Sequence, residues 1–236
     1  MERIIHKPSK SILGNDTEVV YPTAELANTK TEAELEYWSK LAQEGPLGNK
    51  HFKYFFTTNF KLNEDFYNNK RILDIGCGPR GSLEWADMAS VRIGLDPLAD
   101  SYQQLGANQH KMIYVASPAE KIPFPKNYFD VVSSFNSLDH VDNLDQTIKE
   151  IIRIVAPGGN FLLTVEVNHP PTRCEPISFS WDVTRKFFQD LDLLTEKHFE
   201  SIAGGIYKSV TTAIPYEHNN PKSRTGVLVA HFRKPI

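Results

Sequence analysis

The chain has 236 residues with a net charge of −3 and a pI near 6.2, and 40% of its residues are hydrophobic and 23% charged. This is the composition of an ordinary folded domain, and it excludes wholesale disorder. No lysine and arginine run points to a nucleic-acid-binding surface, and no apolar stretch has the length of a membrane span or a signal peptide. Two cysteines, Cys77 and Cys174, are too few for a disulfide framework. We therefore expect a cytoplasmic protein with free thiols.

The first third of the chain divides into two segments. Residues 1–30 mix proline, glycine and asparagine with little periodicity, which predicts an irregular arm. In residues 31–69, Thr31 and Glu34 match a capping box, and seven aromatic residues lie between 52 and 67. We expect a helical extension that either packs against the sheet or forms a lid over a ligand. Residues 70–236 are expected to form the main domain.

The main domain alternates short apolar runs with helical patterns, which predicts a parallel sheet with helices on both faces. Strands are expected near 71–75, 91–95, 112–115, 129–135 and 160–166. Helices are expected near 81–89, 99–107, 144–155 and 183–191. Two later runs, 206–213 and 227–232, predict an antiparallel pair at the sheet edge. The expected fold class is α/β, a Rossmann-like, seven-stranded, mostly parallel sheet with an antiparallel C-terminal edge pair.

The first two strands end in residues suited to a nucleotide. Strand 71–75 leads into Gly76-Cys77-Gly78, where the missing side chains let a ligand approach the backbone closely. The next strand ends at Asp96, whose carboxylate can accept hydrogen bonds from ribose hydroxyls. The two features indicate a bound adenosine. Gly76, Gly78 and Gly81 also match the dinucleotide fingerprint, so an NAD-dependent dehydrogenase is an alternative.

Four blocks in consecutive order carry a resemblance between residues 70 and 166. They are LDIGCGP at 73–79, GLD at 94–96, AEKIPF at 119–124 with FDVV at 129–132, and LDHV at 138–141 with APGG at 156–159. The chain thereby resembles the class I methyltransferases that use S-adenosylmethionine. The resemblance implies their fold, S-adenosylmethionine as the cofactor, and a methyltransferase enzyme.

The resemblance also implies a set of cofactor-binding residues. Asp74 and the glycine turn would hold the methionine end, and Asp96 would bind the ribose. The complete implied set is Asp74, Gly76, Gly78, Asp96, Pro97, Leu98, Ala119, Glu120, Phe135 and Asn136. Pro118 stands where relatives often have an aspartate for the adenine amino group, so the sequence leaves open how adenine is held.

Methyl transfer to a hydroxyl also requires removal of a proton, for which histidine is the usual base. His140 follows the fourth expected strand and His169 follows the fifth, so both are candidate catalytic residues. Asp139, Asp142 and Asn143 offer oxygen ligands for a metal ion, but the last two are expected at a helix start, where capping is commoner. We therefore expect a metal-independent enzyme with no metal-binding residues.

The predicted function is methyl transfer from S-adenosylmethionine to an oxygen or nitrogen of a small molecule, such as a sugar or natural product. A non-catalytic S-adenosylmethionine-binding partner or regulatory protein is a second alternative, beside the dehydrogenase. The sequence indicates no nucleic-acid partner and does not indicate an oligomeric state or identify the acceptor.

Overall fold

The fold is built on one seven-stranded sheet with the strand order β3-β2-β1-β4-β5-β7-β6. The computed structural model describes residues 24–236, with side chains from residue 30. The strands are β1 (Arg71–Ile75), β2 (Val91–Asp96), β3 (Ile113–Ala116), β4 (Phe129–Phe135), β5 (Val155–Val167), β6 (Asp192–Glu200) and β7 (Gly226–Arg233). The α-helices are α1 (Ala24–Glu44), α2 (Phe52–Phe56), α3 (Ala99–Tyr102), α4 (Leu144–Ile154) and α5 (Gly205–Thr212).

The strands bury apolar side chains on both faces of the sheet. In β1, Leu73 and Ile75 belong to one hydrophobic core, whereas Ile72 between them belongs to the other. This alternation follows from the two-residue period of a strand. Helix α4 covers the first core with Ile148 and Ile151. The sequence therefore has near-continuous apolar strands, as is typical of a sheet covered on both faces.

The topology places a crevice at the carboxyl ends of β1 and β4. Strands β1, β2 and β3 pair in parallel in one direction across the sheet, and β4 then pairs with the other side of β1. Such a reversal of strand order opens a crevice in which α/β proteins bind their ligands. Strand β7 is antiparallel to both β5 and β6, which closes the C-terminal edge. The predicted fold class is confirmed.

The N-terminal extension has two structural roles. Most of its aromatic residues, Phe52, Phe55, Phe56, Phe60 and Tyr67, are buried in the second hydrophobic core. Helix α1 instead lies over the glycine turn, as described below. Residues 24–30 of the predicted irregular arm belong to α1, and Thr31 therefore lies inside a helix rather than at its cap. The remainder of the arm, residues 1–23, lies outside the described residues.

Two sequence predictions of local structure are wrong. The helix expected at 81–89 is a series of turns, in which the Arg92 guanidinium bonds the carbonyls of Leu83 and Glu84. The strand expected at 206–213 is helix α5, and the partner of β7 is β6. Strand β6 lies at the sheet edge with mostly polar, partly exposed residues, so it lacks the apolar run by which a strand is found.

The expected helices at 99–107 and 183–191 are shorter than predicted. The first is one α-turn, α3, followed by 3₁₀ turns at Gln103–Leu105 and Ala107–Gln109. The second is a 3₁₀ helix at Trp181–Phe187. Both cysteines are free. None of the described helices combines the length and the apolar composition that crossing a membrane would require.

Candidate functional site

The glycine turn after β1 is held against β2. The amides of Gly76 and Cys77 both donate to the carbonyl of Leu95, at 2.7 and 3.4 Å. Gly76 has a φ of +66°, and a Cβ at this position would lie 2.2 Å from the Cβ of Ser137. Only glycine combines this left-handed backbone with so close an approach. Contact with Ser137 therefore requires glycine at position 76, and the role of the turn in cofactor binding stays a prediction.

Asp74, in β1, is buried beneath the turn. Its carboxylate accepts hydrogen bonds from the hydroxyls of Ser82 and Ser133. Burial raises the pKa of Asp74 to about 6, although the two hydroxyl groups oppose the rise. Among the described residues, the hydrogen-bond partners of the Asp74 carboxylate are therefore neutral groups.

Asp96, at the end of β2, is equally buried. Its two oxygens accept hydrogen bonds from the amides of Gly78 and Leu98, at 3.1 and 2.9 Å, and the Tyr102 hydroxyl also bonds it. Burial raises the pKa of Asp96 to about 6. Asp74 and Asp96 thus place two carboxylates at adjacent strand ends, bonded by neutral donors.

Helix α1 covers this part of the site. The Trp38 ring lies 3.3 Å from the place where a Cβ of Gly78 would stand, so the indole rests on the glycine turn. The Trp38 Nε1 donates to Glu34 at 2.8 Å, and the Arg80 guanidinium stacks over the ring at 5.4 Å. Leu98 packs in the same small cluster as Trp38 and Tyr102. A ligand on the turn would therefore contact α1.

The remaining predicted cofactor residues have different surroundings. Pro97 is exposed beside Asp96, and Ala119 is buried in the first hydrophobic core. Glu120 accepts hydrogen bonds from the amides of Asp142 and Asn143, and therefore fixes the start of α4. Phe135 stacks on Phe60 at 5.9 Å. Asn136 has a φ of +53°, and its amide donates to Thr164.

A folded loop after β5 brings together the second half of the site. Asn168 has a φ of +58°, and its amide donates to the Phe179 carbonyl at 2.7 Å, which closes the loop 168–179. The Ser178 hydroxyl donates to the carbonyl of His169 at 2.6 Å. Compact surface loops of this length with adjoining ends are often functional. The closure returns Glu175 towards β4.

Asp139 lies at the centre of a charged cluster that also contains His140, His169 and Glu175. The Asp139 carboxylate is 3.9 Å from the Nε2 of His140 and 3.5 Å from the Nε2 of His169. The Nε2 of His140 is also 3.7 Å from a Glu175 oxygen, and its Nδ1 is 3.5 Å from Glu34. Both predicted catalytic histidines are therefore brought together around one buried carboxylate. We name these four residues, Asp139, His140, His169 and Glu175, the Asp139 cluster.

The charges of the cluster perturb its pKa values. The Asp139 carboxylate raises the pKa of His169 to about 9. Burial alone would lower the pKa of His140, but the carboxylates of Glu175 and Glu34 raise it well above its ordinary value. His140 in turn lowers the pKa of Glu175. The pKa shifts of His140, His169 and Glu175 thus all favour the charged forms of these residues.

Sequence reasoning did not identify Glu34 and Glu175 as site residues. Glu34 reaches His140 from a helix more than a hundred residues earlier in the chain, and no local pattern shows such a contact. Glu175 follows His169 within the loop, and only loop closure brings it back. Asn143 caps α4 by accepting from the Gln146 amide at 3.0 Å, in agreement with the capping prediction.

Comparisons with known proteins match the same segment of the chain that carries the four sequence blocks. A family model described as a methyltransferase domain matches residues 73–163. The sterol 4-C-methyltransferase strm-1 of Caenorhabditis elegans is 34% identical over 103 residues, which are 40% of this chain and 30% of that protein. The ubiquinone/menaquinone biosynthesis C-methyltransferase UbiE of Vibrio cholerae is 33% identical over 128 residues, 48% of this chain and 46% of that protein. Each match thus spans less than half of the relative's length.

Solved structures share the fold over most of the chain. The [4+2]-cyclase SpnF has a TM-score of 0.60 and 18% identity, with 92% of this chain and 98% of SpnF covered. The N-methyltransferase NodS of Bradyrhizobium japonicum has a TM-score of 0.55 and 13% identity, with 76% of this chain and 93% of NodS covered. At such identities the likeness concerns the fold alone.

The strand order is that of a methyltransferase-like Rossmann fold, and the glycine turn and the acidic end of β2 lie within the residues that match a methyltransferase-domain model. The match of residues 73–163 to a methyltransferase-domain model supports the resemblance to the class I S-adenosylmethionine-dependent methyltransferase family. The cofactor of this family, S-adenosylmethionine, carries a sulfonium and an ammonium charge. Asp74 and Asp96 fit such a ligand, because both are buried carboxylates whose described partners are neutral.

Proposed function

We propose that the chain transfers a methyl group from S-adenosylmethionine to a small-molecule acceptor bound beside the Asp139 cluster. One observation carries the proposal. The carboxyl edge of the sheet holds two carboxylates with neutral partners at β1 and β2, and a charged cluster after β4 and β5. The two carboxylates at β1 and β2 suit a cationic cofactor, and the charged cluster suits a polar acceptor that must lose a proton.

The residues divide the work between binding and proton removal. Asp96 would accept the ribose hydroxyls, and Asp74 would offset the positive charge of the methionine end. Methyl transfer itself is a displacement in line at carbon, so alignment of the two reactants and exclusion of water supply much of the rate. His140 and His169 are proposed to receive the acceptor proton in their neutral forms, which the neighbouring carboxylates make the minor forms at neutral pH. Bound S-adenosylmethionine supplies the activated methyl group.

An oxygen or nitrogen acceptor is the first candidate, because an acidic and histidine-rich cluster interacts well with hydroxyl and amine groups. A carbon acceptor is the second candidate. It is favoured by the two relatives described above, both of which are named C-methyltransferases. A carbon acceptor also has to lose a proton, so the cluster would serve in either reaction.

The proposal is tested by binding and by methyl transfer. The purified chain is titrated with S-adenosylmethionine and, separately, with NAD by calorimetry. It is then incubated with S-adenosylmethionine labelled in the methyl group and with panels of hydroxylated, amine-containing and quinone or sterol acceptors. We expect one S-adenosylmethionine per chain, no NAD binding, and label in one chemical class of acceptor.

Each alternative gives a different result. Tight NAD binding without S-adenosylmethionine binding would contradict the proposal and support a dehydrogenase. Binding of S-adenosylmethionine with no label transferred to any panel would support a non-catalytic binding protein. Label found on carbon rather than on oxygen or nitrogen would select the second acceptor candidate.

A further inference from the structure

The Asp139 cluster contains several buried polar atoms that have no hydrogen-bond partner in the part of the chain that the structure describes. Nine buried side-chain nitrogen and oxygen atoms have no hydrogen-bond partner in the described residues, and four of them lie in this cluster. They are both carboxylate oxygens of Asp139, the Nε2 of His140 and the Nε2 of His169. Buried polar atoms nearly always have a partner, because an unpartnered one loses its hydration without compensation. Unpartnered imidazole nitrogens beside both oxygens of one buried carboxylate are the donor atoms that a cation-binding site requires.

The spacing of these atoms is close to that of a metal coordination shell. The Nε2 of His140 lies 3.9 Å from one Asp139 oxygen and 3.7 Å from Glu175, and the donors of these three residues all lie within 4.8 Å of one another. The Nε2 of His169 lies 3.5 Å from the other Asp139 oxygen, outside that group, and would have to move closer to share a cation. Ligands about 2.1 Å from a tetrahedral cation lie roughly 3.4 Å apart. Direct hydrogen bonds would require distances near 2.8 Å. The donors are thus too far apart to satisfy one another and only slightly too far apart to share a cation.

Both histidines are oriented as metal ligands usually are. The Nδ1 of His169 lies 3.0 Å from the Pro170 carbonyl, and the Nδ1 of His140 lies 3.5 Å from Glu34. In metal sites the ring nitrogen that does not bind the cation commonly donates to a carbonyl or a carboxylate. Each Nε2 is thereby directed towards Asp139. Asp139 itself is fully buried, so its orientation is fixed by the fold.

We propose that Asp139, His140, His169 and Glu175 bind a divalent transition-metal cation. Two imidazole nitrogens with two carboxylates form a donor set suited to zinc, iron(II) or manganese(II), whereas magnesium and calcium prefer oxygen alone. This inference departs from the sequence expectation of a metal-independent protein. It rests on the proposed function only for the role of the cation, and in that role His140 and His169 are ligands rather than bases. The cation would then bind the acceptor oxygen and favour its deprotonation.

The test is a metal titration of the full-length chain without an affinity tag. The protein is treated with a chelator, dialysed, and titrated with Zn²⁺, Mn²⁺ and Mg²⁺ by calorimetry, while cobalt(II) provides a visible spectrum that reports imidazole coordination. We expect one Zn²⁺ or Mn²⁺ per chain, with little binding of Mg²⁺. The variants Asp139→Asn and His169→Ala should each weaken this binding at least tenfold, and Glu34→Gln should weaken it less.

A matched control is available at the other edge of the sheet. His198 and His218 are partly exposed, and their ring nitrogens lie 2.8 Å apart, so they are the obvious place for adventitious binding. His198→Ala should leave the single tight equivalent unchanged. Each variant is checked by circular dichroism, and His169→Asn replaces His169→Ala if the alanine variant does not fold.

Three results would overturn the inference. They are no binding of Zn²⁺ or Mn²⁺ at 100 µM metal, unchanged binding in the folded His169 variant, and loss of the tight equivalent in His198→Ala. S-adenosylmethionine is titrated into the same samples. If cofactor binding persists while metal binding fails, only the metal site is rejected, whereas failure of cofactor binding rejects the proposed function.

Discussion

The two halves of the crevice differ in how their polar groups are satisfied. At the β1 and β2 end, Asp74 and Asp96 are buried but accept hydrogen bonds from hydroxyls and amides nearby in the fold. At the β4 and β5 end, Asp139 has no hydrogen bond to either oxygen and is surrounded by ionisable side chains. In the first half, neutral groups of the protein therefore satisfy the hydrogen-bonding needs of the buried carboxylates. In the second half, the buried carboxylate is balanced by nearby ionisable groups rather than by hydrogen bonds.

This difference indicates different tasks. A cradle of backbone amides and fixed carboxylates suits one cofactor common to a whole family. The Asp139 cluster lies on the turn after β4 and the loop 168–179, and it can change with each acceptor, because loops vary more freely than strands. We expect substitutions in the first half to change cofactor affinity and substitutions in the second to change turnover or acceptor choice.

The largest expected effect is that of Gly76→Ala. The substitution would force a left-handed backbone on alanine and press its Cβ against Ser137. We expect about 3 kcal/mol loss of unfolding free energy, from backbone strain and overpacking together, with loss of measurable cofactor binding. Urea unfolding and calorimetric titration provide the measurements.

Gly106→Ala is the matched control for Gly76→Ala. Gly106 also has a positive φ, +100°, but a Cβ there would meet nothing within 4 Å. Its expected loss is about 1 kcal/mol, from strain alone, with cofactor affinity retained. Equal losses in the two variants would show that the contact with Ser137 has no importance.

The next effect is a decrease in cofactor affinity at acidic pH. Burial raises the pKa of both Asp74 and Asp96 to about 6, so each carboxyl takes up a proton as the pH falls through 6. A protonated Asp74 no longer offsets the positive charge of the cofactor, and a protonated Asp96 accepts hydrogen bonds from the ribose less well. Affinity for S-adenosylmethionine should fall roughly tenfold per pH unit for each group below its pKa. Calorimetry at pH 5, 6, 7 and 8 measures it.

Stability of the ligand-free protein should change in the opposite sense. The folded-state pKa values of Asp74 and Asp96 lie above the ordinary 3.8, so the folded state binds more protons than the unfolded state between about pH 4 and 6. The contribution of these groups to unfolding free energy therefore increases as the pH falls and is lost as it rises through 6. In Asp96→Asn, about half of this pH dependence of the unfolding free energy should disappear. For the cofactor, an affinity that stays constant from pH 5 to 7 would contradict the assignment of Asp74 and Asp96 as cofactor-binding carboxylates.

The smallest effect is expected for Trp38→Ala. The indole rests on the glycine turn, so a cofactor that binds there has to displace it. Removing the ring should increase the association rate of S-adenosylhomocysteine about three- to tenfold, because more of the protein is then competent to bind. Stopped-flow fluorescence measures the rate. The exposed neighbour Tyr37 provides a control, Tyr37→Ala, which should leave the rate unchanged, and a slower rate in Trp38→Ala would show that the ring assists binding.

The sequence predicts the local backbone of the β1 and β2 half of the crevice better than that of the β4 and β5 half, for a physical reason. The strand, the glycine turn and Asp96 interact within 26 residues, so their spacing carries the geometry. Strand β6 was missed because an edge strand needs no apolar run, and α5 was mistaken for a strand because tertiary packing overrides the preferences of Val210, Thr211 and Thr212. The contact between Glu34 and His140 depends on how α1 docks, and no local pattern encodes it.

The division of the crevice is tested most directly by the affinity for S-adenosylmethionine of two variants, Asp96→Ala and His169→Ala, measured by calorimetry at pH 7.5. Removing the Asp96 carboxylate should weaken binding by about 1–3 kcal/mol, the scale of a charge-assisted hydrogen bond. His169→Ala should bind the cofactor like the wild-type chain while its methyl transfer falls. Unchanged affinity in Asp96→Ala, or a loss in His169→Ala as large as that in Asp96→Ala, would contradict the account.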